Sequence, residues 1–248
     1  MVARLSLTDI VRGMRDPMST THAIDPFAIK AYPKHSLLRM AWTAQSRLRE
    51  LQARRGHRLV GDWINPSTGV EIIHDRGAEL AETAVTSGQM ALLKRALAAV
   101  RNVAGDVVEV GCYRGVTTAE LAAATSKTVF AVDPFIGYGG SEREFILFKQ
   151  RVSGIPTIRH VRATSGEAAR TFDAGSLSFA FIDAVHDVSN SWFDFAAWSP
   201  KIARNGLVAM HDVDDHPGVG YTLKRILRGD LPYQLWGYCP NLAVLRKS

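Results

Sequence analysis

The chain has 248 residues, of which 46% are apolar and 22% are charged, and its formal net charge is +6. This length suits one medium-sized domain with an appendage. No apolar run reaches the roughly 18 residues of a membrane span, and Met1–Ser6 lacks the apolar core of a signal peptide. We therefore expect a cytoplasmic protein with no membrane partner. Two cysteines, Cys112 and Cys239, exclude a disulfide framework and regular zinc spacing.

The front segment, residues 1–85, carries weaker structural signals than the rest of the chain. Leu37–Gln52 has helical periodicity, and Gly61–Thr68 is rich in turn residues. Three aromatic residues offer apolar anchors that a sheet's own helices do not need: Tyr32, Trp42 and Trp63. We expect this segment to form a lid or an oligomer contact, with a homo-oligomer as one outcome.

The basic excess of the chain lies mainly in its first hundred residues. Five arginines cluster there: Arg47, Arg49, Arg54, Arg55 and Arg58. Such a cluster binds nucleic acid or phosphorylated ligands in some proteins. Because no aromatic residues interleave with these arginines, a solvated helix face is favoured, and we expect no nucleic-acid partner.

From Thr86 onward, helical and strand patterns alternate, which predicts an α/β domain over residues 86–248 with a mostly parallel sheet covered by helices on both faces. Thr86 and Gln89 have the spacing of a capping box for a helix over Ser87–Val100. Strands are predicted at about 107–111, 128–133, 157–163, 177–182 and 206–211, and helices at about 116–125, 141–153, 165–171, 189–203 and 219–228. Tyr233–Tyr238 and Leu242–Arg246 predict an antiparallel hairpin, which completes a Rossmann-like sheet of seven strands.

A glycine-containing loop follows the strand Asp106–Val110, and the next strand ends on Asp133. A strand that stops at glycine and turns into a helix directs backbone N–H groups toward an anionic or carboxylate-bearing ligand. An acidic residue about twenty positions on binds ribose hydroxyls. The loop Gly111–Gly115 lacks the middle glycine of G-x-G-x-x-G, and Cys112 and Tyr113 would obstruct a pyrophosphate. The pattern therefore favours a nucleoside cofactor other than NAD, and it resembles motifs I and II of class I S-adenosylmethionine-dependent methyltransferases.

Polar residues follow two further strands of the predicted sheet. Asp183 ends one strand, with His186 three residues later, and His211 and Asp212 end the next. The carboxyl ends of neighbouring parallel strands meet at one crevice. Two carboxylates and an imidazole suit a six-coordinate divalent ion that keeps water or substrate oxygens as ligands, and His186 is a candidate general base for a hydroxyl acceptor.

A longer set of motifs resembles the macrocin and mycinamicin sugar O-methyltransferases. It consists of Phe181-Ile182-Asp183-x-x-His186, Trp198-Ser199-Pro200, the run 205–212 that ends in His211-Asp212, and Pro217-Gly218-Val219. The resemblance implies a magnesium-dependent O-methyltransferase with a small hydroxyl acceptor such as a sugar or another natural-product diol. It also implies metal ligands at Asp183, His211 and Asp212, and His186 as the base.

The chain is more distantly similar to catechol-type O-methyltransferases through its glycine loop and through Ser87-Gly88-Gln89. Together the two resemblances and the strand-end positions imply a set of residues that bind S-adenosylmethionine: Ser87, Glu109, Gly111, Tyr113, Gly115, Thr117, Asp133, Ser165 and Asp183. At Ser165, which is predicted to meet the adenine, Thr164 and Gly166 are alternatives. The resemblance begins at about Thr86.

One position departs from the sugar enzymes, which have an acidic residue where this chain has His211. Neutral imidazole is a poor ligand for magnesium and prefers softer ions. Either the site uses manganese, iron or another transition ion, or His211 lies beside a metal that only Asp183 and Asp212 bind.

Other readings remain open. A nucleic-acid methyltransferase would use the basic front segment, although Asp-Ala-Val-His at 183–186 differs from the motif of base N-methyltransferases. A non-catalytic cofactor-binding subunit and a cephalosporin-hydroxylase-like enzyme are further alternatives. We expect packing or surface-pairing roles for Asp194 and Trp198, and solvent exposure for Asp214, Asp215 and His216. Acceptor selectivity is expected from the front segment and from Phe135–Gly140.

Overall fold

The structure, a computed structural model, describes residues 12–13, 20–21, 23–63, 69–137 and 140–248. The predictions for Met1–Ser6 and for parts of Gly61–Thr68 and Phe135–Gly140 lie outside these residues. The helices are α1 (Pro26–Lys30), α2 (Leu37–Arg55), α3 (Ser87–Ala99), α4 (Val116–Ala123), α5 (Glu142–Val152), α6 (Ser165–Ala169), α7 (Val188–Trp198) and α8 (Pro217–Arg228). The strands are β1 (Glu71–Ile72), β2 (Asp106–Val110), β3 (Val129–Val132), β4 (Ile158–Val161), β5 (Leu177–Ile182), β6 (Ile202–His211), β7 (Tyr233–Cys239) and β8 (Leu242–Lys247).

Within the described residues these strands form one eight-stranded sheet in the order β1-β7-β8-β6-β5-β2-β3-β4. β8 is antiparallel to both β6 and β7, and the other pairs are parallel. The predicted α/β sheet with its C-terminal hairpin is therefore confirmed. The chain winds outward from β2 to β4 and returns to place β5 beside β2, so the strand order reverses between β2 and β5. Ligands of open α/β sheets bind at such a reversal.

Both faces of the sheet are covered, as the near-continuous apolar strands predict. Val108, Ala180 and Val208 face one core with α7 and α8, while Val107 and Phe179 face a second core with α3 and α4. This alternation follows from the two-residue period of a strand. Cys112 and Cys239 are buried free thiols. None of the helices in the described ranges combines the length and apolar character that a membrane crossing requires.

Two details differ from the sequence prediction. The helix predicted over 189–203 ends at Trp198, and Ile202 already belongs to β6. Pro200 explains the early end, because it lacks an N–H and cannot continue a helix. A short strand from the front segment, β1, pairs with β7 and adds an eighth strand to the predicted seven.

The front segment packs on the helices that follow β5 and β6. Ser46 and Glu50 of α2 contact the first turn of α7, where Ser189 Oγ donates to Ser46 Oγ at 2.9 Å and Val188 N donates to Glu50 Oε2 at 3.2 Å. This contact lies directly after His186 in the chain. The helix α2 therefore supports the loop that carries the predicted base.

Asp214 joins the front segment to the hairpin. It is 7% exposed, so the expectation of solvent exposure was wrong for this residue. Its carboxylate accepts hydrogen bonds from Val60 N, from Tyr238 Oη at 2.7 Å and from Asn241 N at 2.6 Å. Asp215 and His216 are exposed as expected. Sequence reasoning missed Asp214 because its three partners come from distant parts of the chain.

We predict that Asp214→Ala lowers the free energy of unfolding by about 2–4 kcal/mol, because each buried donor left without an acceptor costs about 1–3 kcal/mol and water recovers only part of the loss. Urea unfolding followed by tryptophan fluorescence measures the change. Asp230→Ala removes an exposed carboxylate and should shift stability by less than about 0.5 kcal/mol. Equal midpoints for the two variants would contradict the role of Asp214.

Candidate active site

A cavity of about 450 Å³ opens at the carboxyl ends of β2, β3 and β5, where the strand order reverses. Eight of the residues predicted from sequence line it: Glu109, Gly111, Tyr113, Thr117, Asp133, Ser165, Asp183 and His186. The fold therefore brings most of the predicted site to one place. The volume lies within the range of small-molecule and cofactor sites.

Gly111 marks a close approach between the ends of β2 and β5. Its φ is +91°, and a Cβ at this position would lie 1.9 Å from the backbone oxygen of Asp183. Gly115, with φ +75°, is the N-cap of α4. Because glycine has no side chain to cap this helix, the first-turn N–H groups remain available to a ligand.

Asp133 fastens the glycine loop to the end of β3. Its Oδ2 accepts from Tyr113 N at 3.1 Å, and its Oδ1 accepts from Phe135 N at 2.8 Å. Burial raises the pKa of this carboxyl, and the two backbone hydrogen bonds oppose the shift. Each oxygen retains acceptor capacity, so the carboxylate can still receive hydroxyl groups from the cavity.

Glu109 lies on the floor of the cavity and is 1% exposed. Thr118 Oγ1 donates to its carboxylate. Burial raises the pKa of Glu109 to about 8, although the hydrogen bond from Thr118 works in the opposite direction. Glu109 would therefore ionise more readily when a cationic group of a ligand lies beside it.

Asp183, His186, His211 and Asp212 converge beside the cavity. His186 Nε2 lies 2.9 Å from Asp212 Oδ2 and 3.6 Å from Asp183 Oδ1. His211 Nδ1 lies 3.5 Å from Asp183 Oδ1 and 3.4 Å from Asp212 Oδ1. His211 and Asp212 do not line the cavity itself; they are buried, and Asp183 and His186 stand on its wall.

These four groups shift one another's pKa values strongly. Burial alone would lower the pKa of both histidines, but the two carboxylates outweigh it and raise the pKa of His186 to about 9 and that of His211 to about 10. Burial would raise the pKa of both carboxyls, but the histidines hold the pKa of Asp183 and Asp212 below the usual range. The cluster therefore has a strong affinity for positive charge.

The arrangement fits a divalent cation. One ligand atom from each of Asp183, His211 and Asp212 lies within 4.8 Å of the others, and His186, Asp212 and His216 form a second such set. Despite the short distances, neither His186 Nε2 nor His211 Nδ1 has a hydrogen-bond partner of good geometry among the described residues. Buried nitrogen atoms without a partner are costly, and a cation would satisfy them. The second set also makes His186 an alternative ligand as well as a candidate base.

Two predicted cofactor residues lie outside the cavity lining. Ser87 is exposed at the start of α3, where its hydroxyl lies beside Gly77, and Gly115 faces Phe148 of α5. Gly115 still shapes the loop because its φ is positive.

Several lining residues were not predicted as site residues. Phe27, Asn190 and Asp194 line the cavity, as do residues 79, 82, 83 and 84 of the front segment. Asp194 is 5% exposed and lies near Ser165, so its expected surface-pairing role was wrong. Trp198 is fully buried as expected for a packing residue, and it donates to Ser165 Oγ at 2.9 Å. Asp194 lies one helical turn after Asn190, so both side chains are on one face of α7. This spacing was the only sequence signal that Asp194 belongs to the site.

Burial raises the pKa of Asp194 to about 7, above the ordinary value of 3.8. The folded state therefore holds the proton more tightly than the unfolded chain. The stabilisation from this tighter proton binding is complete below about pH 4 and is lost as the pH rises to about 7. Asparagine does not ionise, so we predict that Asp194→Asn gains stability relative to the native protein as the pH rises from 5 to 8.

Thermal or urea unfolding at pH 5, 6, 7 and 8 measures this difference. Asp173→Asn, at an exposed position, controls for the loss of one surface charge. Parallel pH profiles for the native protein and Asp194→Asn would contradict the burial argument.

Residues 108–213 match the family model described as Methyltransferase domain. Among solved structures, the O-methyltransferase NovP aligns at 18% identity with a TM-score of 0.57, covering 68% of this chain and 83% of that one. A Staphylococcus aureus protein provisionally assigned as a caffeoyl-CoA O-methyltransferase aligns at 16% identity with a TM-score of 0.55, covering 67% and 86%.

A Corynebacterium glutamicum protein aligns at 14% identity with a TM-score of 0.52, and the alignment covers 98% of both chains. No curated protein sequence matches this chain significantly. The glycine loop, the strand-end acid and the strand order agree with the family match. Residues 108–213 thus match a methyltransferase domain model, and the described part of the chain shares the fold of these O-methyltransferase structures.

Proposed function

We propose that this protein transfers the methyl group of S-adenosylmethionine to a hydroxyl oxygen of a small molecule, such as a sugar or another natural-product diol, with the help of a divalent cation. The observation that carries the proposal is the convergence of Asp183, His186, His211 and Asp212 next to the glycine loop. A methyltransferase acting by positioning alone has no need for two carboxylates and two histidines at this point.

The cofactor would lie across the glycine loop. Asp133 would accept the ribose hydroxyls, because it lines the cavity and retains acceptor capacity on both oxygens. Glu109, beneath the loop, suits the ammonium group of the methionine part. Ser165 lies on the wall at the start of α6 and would meet the adenine. When bound, S-adenosylmethionine supplies an electrophilic methyl group.

Asp183, His211 and Asp212 would hold the cation. When bound, a divalent cation lowers the pKa of a coordinated hydroxyl and fixes its oxygen. Asp183 belongs to both the cation cluster and the cavity wall, so an acceptor hydroxyl held there would face the cofactor loop. This placement favours in-line attack through proximity and orientation.

His186 would take the proton from the acceptor hydroxyl. It stands on the cavity wall, and only the flanking carboxylates raise its pKa to about 9. Once those carboxylates are neutralised by a cation, His186 holds its proton less tightly and can act as a base near neutral pH. Its Nε2 lies 2.9 Å from Asp212 Oδ2, so the proposed base stands next to a proposed cation ligand.

The acceptor side of the cavity would be formed partly by the front segment. Phe27 and residues 79, 82, 83 and 84 contribute to the lining, which supports a role of residues 1–85 in acceptor selection. The arginines do not: Arg58 lies with Lys224, Arg225 and Arg228 along a separate cleft of about 260 Å³. A small-molecule acceptor is therefore favoured over nucleic acid.

The test combines binding and turnover. We expect calorimetry to detect S-adenosylhomocysteine binding that EDTA leaves nearly intact, because the cation serves the acceptor. Transfer of labelled methyl groups to a panel of sugars and catechols should require a divalent ion. Asp183→Asn and Asp212→Asn should lose activity that added metal only partly restores, and His186→Ala should slow transfer by about 10²–10⁴-fold.

His35→Ala, which changes an exposed histidine of the front segment, is the matched control and should retain full activity. Turnover that is indifferent to both EDTA and His186→Ala would remove the cation and the base from the mechanism. Tight NAD binding without a response to S-adenosylhomocysteine would overturn the cofactor assignment. Salt-sensitive RNA binding that maps to the arginines of α2 would indicate a nucleic-acid acceptor instead of a small molecule.

A further inference from the structure

Gln89 is held in one orientation beneath the cation cluster. It lies in the first turn of α3 and is 1% exposed. Its Oε1 accepts from Thr86 N at 2.8 Å, and its Nε2 donates to Pro240 O at 2.8 Å. Reversing the amide would place its NH₂ group against the N–H of Thr86 and its oxygen against the carbonyl of Pro240. The two backbone groups therefore fix which end of the amide is the acceptor.

This orientation determines the protonation pattern of His211. His211 Nε2 lies 3.1 Å from Gln89 Oε1, and both residues are buried. An amide oxygen only accepts hydrogen bonds, so Nε2 must carry a proton. Two donors, Thr86 N and His211 Nε2, then occupy the two acceptor positions of Oε1. In the neutral ring, the lone pair is therefore on Nδ1.

Nδ1 is the nitrogen that faces the carboxylates. It lies 3.4 Å from Asp212 Oδ1 and 3.5 Å from Asp183 Oδ1, without a hydrogen-bond partner of good geometry in the described part of the chain. A lone pair directed at two carboxylates is repulsive unless a proton or a metal cation lies between them. Because Gln89 keeps the other proton on Nε2, a cation that displaces the proton from Nδ1 would meet that nitrogen as a ligand.

The turn at Pro240 and Asn241 supports a second ligand as well. Asn241 Nδ2 donates to Asp212 Oδ1 at 2.8 Å, and Asn241 Oδ1 accepts from the backbone N–H groups of Asp214 and Asp215. One turn of the β7–β8 hairpin therefore orients His211 through Gln89 and Asp212 through Asn241. Partners of this kind typically change metal affinity by 10–100-fold.

We propose that Gln89 is a positioning residue that presents Nδ1 of His211 to the cation, and that the site consequently selects a divalent first-row transition ion, such as Mn²⁺, Fe²⁺ or Co²⁺, over Mg²⁺. Imidazole nitrogen favours such ions, whereas a purely carboxylate set suits Mg²⁺. The proposal rests on the proposed function in that it assumes a cation at this cluster.

The test measures metal binding directly in the full-length protein, without an acceptor. Mn²⁺ binding is followed by the EPR signal of the free ion, and Mg²⁺ binding by competition. We expect the native protein to bind Mn²⁺ at least about 10-fold more tightly than Mg²⁺. Gln89→Met removes the acceptor oxygen and should weaken Mn²⁺ binding about 10–100-fold while changing Mg²⁺ binding much less.

Three further variants separate positioning from folding. Gln89→Glu keeps an acceptor oxygen and should preserve the preference for Mn²⁺. Thr86→Ala removes the other half of the capping box of α3 but leaves the contact between Gln89 and His211, so it should behave like the native protein. His211→Glu should shift the preference toward Mg²⁺. S-adenosylhomocysteine binding reports whether each variant is folded.

The possible failures differ from one another. If Gln89→Met binds S-adenosylhomocysteine and retains native Mn²⁺ affinity, the positioning role is overturned while the proposed function stands. Equal Mn²⁺ and Mg²⁺ affinities in the native protein would overturn the ion preference alone. If the native protein binds S-adenosylhomocysteine but no divalent ion, both the role of Gln89 and the cation in the proposed function are overturned.

Discussion

The structure depends on the contact between the ends of β2 and β5. The strand order reverses at this point, and the backbones approach so closely that any side chain at position 111 would collide with the carbonyl oxygen of Asp183. The same contact joins the glycine loop, which would hold the cofactor, to the first carboxylate of the cation cluster. Backbone geometry thereby fixes the separation between the glycine loop, proposed to hold the cofactor, and Asp183, proposed to hold the cation.

The C-terminal hairpin provides a second fixed frame. Its turn residue Asn241 adopts a φ of +71° and orients Asp212, while the carbonyl of Pro240 orients Gln89 and through it His211. The network of Asp214 then ties the hairpin to Val60 of the front segment. A part of the chain far from the glycine loop thus holds two of the three proposed ligands. The antiparallel strands would therefore serve the proposed chemistry in addition to their place in the sheet.

Much of the fold could be predicted from the sequence, because apolar strands, glycine breaks and helix caps are local signals. The sheet, its hairpin and the cavity around Gly111, Asp133 and Asp183 follow from such signals together with the rule that parallel strands share a carboxyl edge. Pro200 is a local signal for the early end of α7. The helical periodicity of the segment nevertheless favoured a longer helix.

The rest depends on contacts between distant segments. Asp214 and Asp194 are polar residues in regions that favour surface positions. Asp214 is buried by contacts with Val60, Tyr238 and Asn241, and Asp194 lies beside Ser165 of α6. Gln89 was recognised as a cap, yet its contact with His211 spans 122 positions in the chain. The tautomer of His211 follows from that contact and has no sequence signal. The fold thus followed from local patterns, whereas the orientation of the site residues required the tertiary structure.

The most direct measurement is a crystal structure with S-adenosylhomocysteine and Mn²⁺, with anomalous diffraction data collected at the manganese edge. We expect ribose hydroxyls on Asp133 and one anomalous peak bonded to Asp183, Asp212 and Nδ1 of His211. A peak held by His186, Asp212 and His216 would exclude His186 as the base. Cofactor density away from the glycine loop, or no peak beside Asp183 and Asp212 at saturating Mn²⁺, would show that this edge of the sheet does not join a cofactor site to a cation site.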